Sequence, residues 1–389
     1  MAAMFCVSGG RPLKGTVRPA GNKNAALPIL AATLLAPGPC RIDNVPRIRD
    51  VEIMLARFGR VSLPPPGGDV IGRRRVDTHF LALEQLGAEI TVGDHYRVEG
   101  RKLVGRDIFL DEPSVTATEN ALMAAARAQG TTVLRNAASE PHVQDLARYL
   151  VACGGNITGI GTNVLTIEGV PNLEPAPFTI GPDHIEVGSF IGLAAVTNGE
   201  ITIDGVRGDD LRATLFGFER LGVRPRLDST KLVVDADQER RVRSDLGGHV
   251  PKLEDGPWPA FPADLMSIAI VAATQCDGLL LIFEKLFESR LFFVDKLIGM
   301  GARIVLCDPH RAVIAGPAKL KGGVVESPDI RAGMAMLLAA LAAHGDSVIH
   351  NIGQIERGYE RIDERLRSLG AQIERIDDGR EPVRRTSDQ

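Results

Sequence analysis

One repeat constrains this chain more than any other feature. An Ala-rich apolar helix, a glycine and a short β-branched strand recur at Glu119–Val133, Glu186–Ile203, Asp264–Leu281 and Arg331–Ile349, and the same pair opens the chain as Asn22–Ala36 followed by Cys40–Val45. Each unit has a second half, a helix ending in an apolar residue and Gly before another strand: Leu86-Gly87-Ala88, Cys153-Gly154-Gly155, Leu221-Gly222-Val223, Met300-Gly301-Ala302 and Leu369-Gly370-Ala371. Glycine there is the expected residue just past a helix C-terminus. These glycines lie 67, 68, 79 and 69 residues apart, so the unit is about 70 residues of alternating strand and helix and the class is α/β. Helices apolar on most faces, such as Ala332–Ala343, are expected inside, covered by sheet.

One unit is incomplete. Counting first halves by the glycine before the strand gives Gly38, Gly59, Gly130, Gly199, Gly278 and Gly345, six against five second halves, at intervals of 21, 71, 69, 79 and 67. The first interval is about 50 residues short of the rest. The missing matter is the second half of unit one and most of the next Ala-rich helix, with Val51–Met54 joined almost directly to Leu55–Gly59. A first unit that was always short is the alternative; regularity elsewhere favours deletion or natural loss.

At 389 residues with 44% hydrophobic side chains, the chain suits two domains. A net charge of −4 argues against a general nucleic-acid binder, so any anion site is local. The five cysteines (6, 40, 153, 276, 307) form no CxxC or CxxH pair, which indicates neither a disulfide framework nor zinc and is read as buried thiols in a reducing cytosol. The eight histidines show no ligand spacing, and no metal or cofactor is expected. Residues 1–10 lack the pattern of a signal peptide, and no apolar run reaches the ~18 residues of a membrane span. The expectation is a cytoplasmic protein with no membrane insertion.

The most chemical stretch is Pro64-Pro65-Pro66-Gly67-Gly68-Asp69-Val70-Ile71-Gly72-Arg73-Arg74-Arg75-Val76-Asp77. It sets one carboxyl between glycine-freed backbone and three guanidinium forks suited to phosphate or carboxylate. A solvated turn with a charge run is the competing reading. The polar tail 377–389 reads as disordered.

Together, the six units, Asn22-Lys23-Asn24-Ala25-Ala26, the loop at 66–77, Phe261-Pro262-Ala263-Asp264, Pro328-Asp329-Ile330-Arg331-Ala332 and Arg357-Gly358-Tyr359-Glu360-Arg361 resemble the enolpyruvyl transferases, on their sugar-nucleotide branch. The resemblance implies two inside-out α/β domains built from six βαβαββ-like repeats, one of them incomplete. The first would span 22–181, and the second would take 1–21 plus 182–389. It also implies a reaction, transfer of the enolpyruvyl group of phosphoenolpyruvate to the 3-hydroxyl of UDP-N-acetylglucosamine with release of phosphate, at the entry to peptidoglycan precursor synthesis. A truncated, catalytically impaired paralogue that binds a ligand or partner is the alternative, and a shikimate-phosphate enolpyruvyl transferase is a third.

The same resemblance implies roles. Lys23, Arg74, Arg331 and Arg357 match the clamp on phosphoenolpyruvate. Asp69 stands where many members carry cysteine, as general acid toward C3, and Asp264 takes the proton of the sugar hydroxyl. Asn24, Arg74, Arg75, Val76, Asp77, Thr78 and Leu286 match sugar-nucleotide contacts, with Arg75 departing from the usual proline. For Asp69 the bland reading is a turn residue; for Asp264 it is a cap on a helix over Leu265–Thr274; for the cations it is plain surface charge. An arginine that members carry in the segment missing here has no counterpart. Trp258 is expected to pack a loop against the cleft.

Overall fold

The computed structural model describes residues 3–48, 50, 75–92, 96–100 and 102–377. The loop at 64–74, the junction at Met54/Leu55 and the end of the polar tail lie outside the described residues. Ten α-helices are labelled in chain order among the described residues: α1 Lys23–Ala32, α2 Asp77–Gln85, α3 Val115–Ala125, α4 Pro141–Ala152, α5 His184–Thr197, α6 Arg212–Arg220, α7 Met266–Ala273, α8 Val294–Gly299, α9 Ile330–Ala342 and α10 Ile362–Ser368.

The helix-ending glycines do what their positions ask. Gly87, Gly154, Gly222, Gly301 and Gly370 all sit at φ between 73° and 101°, the left-handed turn that frees the chain from a helix without a Cβ clash. After α5 the left-handed residue is Asn198 (φ 53°), one position before Gly199.

Four units close a four-stranded sheet. In the unit carrying α3 and α4 the strand order is Asp107–Phe109, Thr131–Arg135, Val164–Glu168, Asn156–Thr158. The unit with α7 and α8 repeats it as Lys252–Glu254, Gly278–Phe283, Arg311–Gly316, Arg303–Asp308. The other two borrow from the N-terminus. Lys14–Val17 runs parallel to Glu200–Asp204 beside α5 and α6, and Met4–Ser8 inserts antiparallel between Asp346–His350 and Gln372–Ile376 beside α9 and α10. Among the described residues the remaining sheets have two strands each: Phe178–Thr179 parallel to Ile42–Asp43 beside α1, and the hairpin Glu89–Val92 with Tyr96–Glu99 after α2. Those are a first half and a second half, as the repeat count requires if the stretch between them is shortened.

Buried apolar side chains gather in two clusters. One draws on Ala25 to Ile180, the other on Phe5 to Val17 and Ile185 to Ile373. In the second, α5, α7 and α9 pack against one another at the centre, and every residue of α5 and α7 is buried. Their sequences are apolar on all faces because all faces meet protein, whereas α6 buries only Thr214, Gly217 and Phe218. Close approach depends on glycine at one face. A Cβ on Gly192 would lie 2.4 Å from Ile268 Cγ2, and one on Gly188 would lie 2.4 Å from Leu265 Cδ1. Gly192→Val is expected to lower stability by about 1–3 kcal/mol through overpacking, read as a fall in the denaturation midpoint.

A cavity of about 650 Å³ is lined by Leu30, Thr33, Leu34, Ala36, Gly38, Cys40, Ile42 and Val45, and Leu34 is 69% exposed. The cysteines also depart from expectation. Cys153 and Cys276 are buried, Cys6 and Cys40 are half-buried and Cys307 is exposed, because the last lies on a strand whose outer face meets solvent.

Candidate functional site

The inside-out arrangement brings helix N-termini together, and with them partial positive charge and unpaired backbone N–H groups. Asn22 caps α1 by accepting from the amides of Asn24 (2.9 Å) and Ala25 (3.2 Å). Asp183 caps α5 through Oδ1, from Ile185 and Glu186, while its Oδ2 accepts from the amide of Lys23 at 3.3 Å. Asp329 caps α9 from Arg331 and Ala332. Pro28 inside α1 lacks the N–H that would take the carbonyl of Asn24, leaving that oxygen outside the helix ladder.

Asp264 stands on a short 3₁₀ turn, Ala263–Leu265, before α7 rather than opening an α-helix at 265. It makes no capping bond. Both oxygens are taken by guanidinium groups, Oδ1 by Arg290 Nη2 at 3.1 Å and Oδ2 by Arg331 Nε at 2.9 Å. The two arginines are 4% exposed, while the Asp264 side chain keeps 30% of its surface open. Burial works to raise the Asp264 pKa, but Arg331, then Arg290 and Lys23, outweigh it and hold the carboxyl well below the usual carboxylate range. Arg331 also lies over the Tyr359 ring at 5.4 Å, whose hydroxyl shares a hydrogen bond with Ser189 at 2.9 Å. Its Nη1 is buried without a hydrogen-bond partner among the described residues.

Lys23 is 8% exposed and pairs through Nζ with Asp50 at 3.0 Å. Burial lowers its pKa, and Asp50 opposes the shift. Arg357 reaches the same carboxylate through Nε at 3.0 Å and Nη2 at 3.3 Å, and donates to Gln354 at 2.8 Å. Burial works to raise the Asp50 pKa; Arg357 and Lys23 together bring it below its ordinary value. One carboxylate therefore sits between two of the cations singled out in the sequence. Among the described residues, Lys23, Asp264, Arg331 and Arg357 belong to one charged set, with Asp50 and Arg290 as members that the sequence reading passed over. Arg290 lay five residues past Lys285 in a stretch singled out only for Leu286. Asp50 offered no local signal, because its partners are about 27 and 307 positions away.

The sugar-nucleotide candidates lie at the start of α1, at the start of α2 and in the turn after the strand Gly278–Phe283. Val76 is the N-cap residue of α2 and Asp77 its first residue. Arg75, exposed, is held by Asp77, Asp111 (2.8 Å) and Glu112, which gives the arginine that replaces proline a local role. Thr78 is buried and donates to Asp111 at 2.7 Å. Leu286 is 43% exposed. Asn24 lies in the first turn of α1. Arg74 and Asp69 lie outside the described residues.

Contacts between the two clusters include stacked and edge-on rings. His142 stacks on His184 at 6.1 Å, and His184 meets Trp258 edge-on at 6.0 Å. Burial takes the His142 pKa down to about 3 and that of His184 down to about 4, so both rings are neutral at physiological pH. Trp258 also donates its backbone N–H to Glu140 at 3.5 Å. Among the described residues no cluster of metal-ligating side chains forms and no helix is long and apolar enough to cross a membrane.

Chemically, a carboxylate fixed by two buried arginines beside a partly desolvated lysine, at converging helix N-termini, can hold a small dianion and orient one base against it. The model of the family described as EPSP synthase (3-phosphoshikimate 1-carboxyvinyltransferase) matches residues 7–63 and 53–366. Its two segments meet where the repeat is short. The UDP-N-acetylglucosamine 1-carboxyvinyltransferase of Bradyrhizobium diazoefficiens is 56% identical over 421 residues, covering 96% of this chain and 98% of the relative. That of Treponema denticola is 50% identical over 419 residues, covering 95% and 98%. Since 96% of 389 residues is about 373, about 48 positions of the Bradyrhizobium match have no counterpart here. Among solved structures, the enolpyruvyl transferase NikO from Streptomyces tendae superposes with a TM-score of 0.82 at 23% identity, over 96% of this chain and 99% of that one. EPSP synthase from Acinetobacter baumannii does so at 0.72 and 16%, over 97% and 100%. From repeat, fold and matched sequence together, this chain belongs to the EPSP synthase family of carboxyvinyltransferases.

Proposed function

We propose that the chain transfers the enolpyruvyl group of phosphoenolpyruvate to the 3-hydroxyl of UDP-N-acetylglucosamine. The sugar oxygen bonds to C2 while C3 takes a proton; the adduct then gives up that proton and phosphate, restoring the double bond. Asp264 takes the hydroxyl proton. Lys23, Arg331 and Arg357, with Arg74, neutralise the carboxylate and phosphate of the donor, and Asp69 is the acid toward C3. Asn24, Arg75, Val76, Asp77, Thr78 and Leu286 contact the sugar nucleotide. The two apolar clusters support domains at 22–181 and at 1–21 plus 182–389, with the substrates between them in the cytoplasm.

The observation that carries this reading is Asp264 held between Arg290 and Arg331, in a chain half identical to proteins named for that reaction. Depressed basicity suits the role. A carboxylate that stays ionised at all physiological pH accepts a proton only as the hydroxyl oxygen bonds to carbon and acidifies, so the proton moves in the transition state. The competing reading, an impaired ligand-binding paralogue, rests on the short first unit.

Phosphate release from phosphoenolpyruvate separates the readings. The expected result is release that depends on UDP-N-acetylglucosamine and is absent with shikimate 3-phosphate. Calorimetric binding of the sugar nucleotide without release would favour the paralogue, and release with shikimate 3-phosphate would replace the acceptor.

A further inference from the structure

Behind Asp264 lies a second layer of ionisable groups that the reaction does not use directly. Arg290 reaches Asp264 with Nη2, while its Nε faces Glu284 Oε2 at 3.8 Å without forming a hydrogen bond. Glu284 follows the strand Gly278–Phe283 and is fully buried; Asp255, after the neighbouring strand Lys252–Glu254, is 1% exposed. Glu284 Oε1 accepts from the amides of Leu286 (3.3 Å) and Phe287 (3.2 Å), tying the turn that carries the Phe287 ring beneath the Arg290 guanidinium at 5.0 Å. Asp255 Oδ1 accepts from the amide of Lys285 at 2.5 Å. The outer oxygens, Glu284 Oε2 and Asp255 Oδ2, receive no N–H or hydroxyl donor among the described residues, and the two residues stand side by side where the paired strands end, with the amide of Asp255 donating to the carbonyl of Phe283 at 3.4 Å. Neighbouring buried carboxylates oppose each other's ionisation.

We infer that Glu284 is a positioning residue: through a proton shared with Asp255, and through the turn that carries Phe287, it fixes the guanidinium of Arg290 on the carboxylate of Asp264. Charge counting supports this. With Asp255, Glu284, Arg290, Asp264 and Arg331 all ionised the buried row carries one surplus negative charge; with one proton on Glu284 it is neutral. Burial and then Asp255 push Glu284 up to about 9, against the pull of Arg290. His310 also faces Glu284, with Nδ1 on its carbonyl oxygen at 2.7 Å. Kept neutral, Glu284 does not compete for Arg290, whose charge stays committed to Asp264.

The inference rests on Asp264 acting as base in the proposed transfer, and the test reads both turnover and the Asp264 carboxyl itself. Glutamine at 284 keeps a neutral side chain whose oxygen accepts from Leu286 and Phe287 and whose amide donates to Asp255; alanine keeps none of this. In E284Q, most of kcat is retained, within about twofold, and the Asp264 carboxyl carbon, followed by NMR and assigned by its loss in D264N, stays at its ionised shift down to about pH 4. In E284A, kcat falls about tenfold or more while the KM for phosphoenolpyruvate stays within about threefold, and Asp264 titrates at higher pH because one of its two cations has moved. E284Q behaving like E284A, or E284A matching wild type in the NMR titration, overturns the inference. If E284A does not fold, E284Q decides alone: retained kcat and an unmoved Asp264 support the positioning role, and their loss overturns it. A wild-type chain without turnover overturns the assigned reaction, and the Asp264 titration still decides on Glu284.

Discussion

Asp264→Asn lowers kcat about 10²–10⁴-fold, the scale of losing a positioned base, with a much smaller change in phosphoenolpyruvate affinity. Asparagine keeps the shape but offers Arg290 and Arg331 an uncharged oxygen and an amide that cannot accept a proton. Two guanidinium groups, each 4% exposed, then lose their shared counter-charge, and that costs stability as well. The pH dependence separates the effects. Because the folded chain holds the Asp264 carboxyl well below its ordinary range, its ionisation contributes stability that is fully present above about pH 4, its unfolded value, and is lost as pH falls through the folded one. D264N is expected to be less stable than wild type at neutral pH, with the gap narrowing toward acid, as followed by melting temperature from pH 7 downward. Phosphate-release kinetics within twofold of wild type would remove Asp264 from the chemistry.

Arg331→Met is expected to be the most damaging single change to binding. Its Nε holds Asp264, its face lies on Tyr359, and its Nη1 is a buried donor without a protein partner among the described residues. Breaking one side of a buried pair costs about 3–5 kcal/mol where the partner is left uncompensated. Here Arg290 and the 30% open face of Asp264 keep the stability loss toward or below the lower end. The affinity loss for phosphoenolpyruvate carries no such relief, since a charge-assisted donor to the ligand vanishes. Binding is expected to weaken about 10²-fold, from one or two charged hydrogen bonds of about 1.5–3 kcal/mol each. Calorimetry on the variant, with circular dichroism to verify the fold, reads this, and unchanged affinity would move the dianion away from α9.

The sequence by itself determined the α/β class, the six-fold repeat with its short first unit and the helices that lie inside. Each of these depends on a local rule: an all-apolar helix has no face to give to water, and five of the helices leave through a left-handed glycine, Gly87, Gly154, Gly222, Gly301 or Gly370. The incomplete unit was legible because spacing is a one-dimensional quantity. Lys23, Asp264, Arg331 and Arg357 were legible through motifs, each in the first turn of an element or in a turn beside one. Their partners were not. That Asp50 bridges Lys23 and Arg357, that Arg290 completes the hold on Asp264, that His142 and His184 stack at the junction, and that Glu284 meets Asp255 in the dark behind them depend on which residues from distant units face one another. Charge gains its strength from burial, and burial is decided only when the sheets close around the three central helices; in the linear chain those same carboxylates and arginines are indistinguishable from the solvated ones.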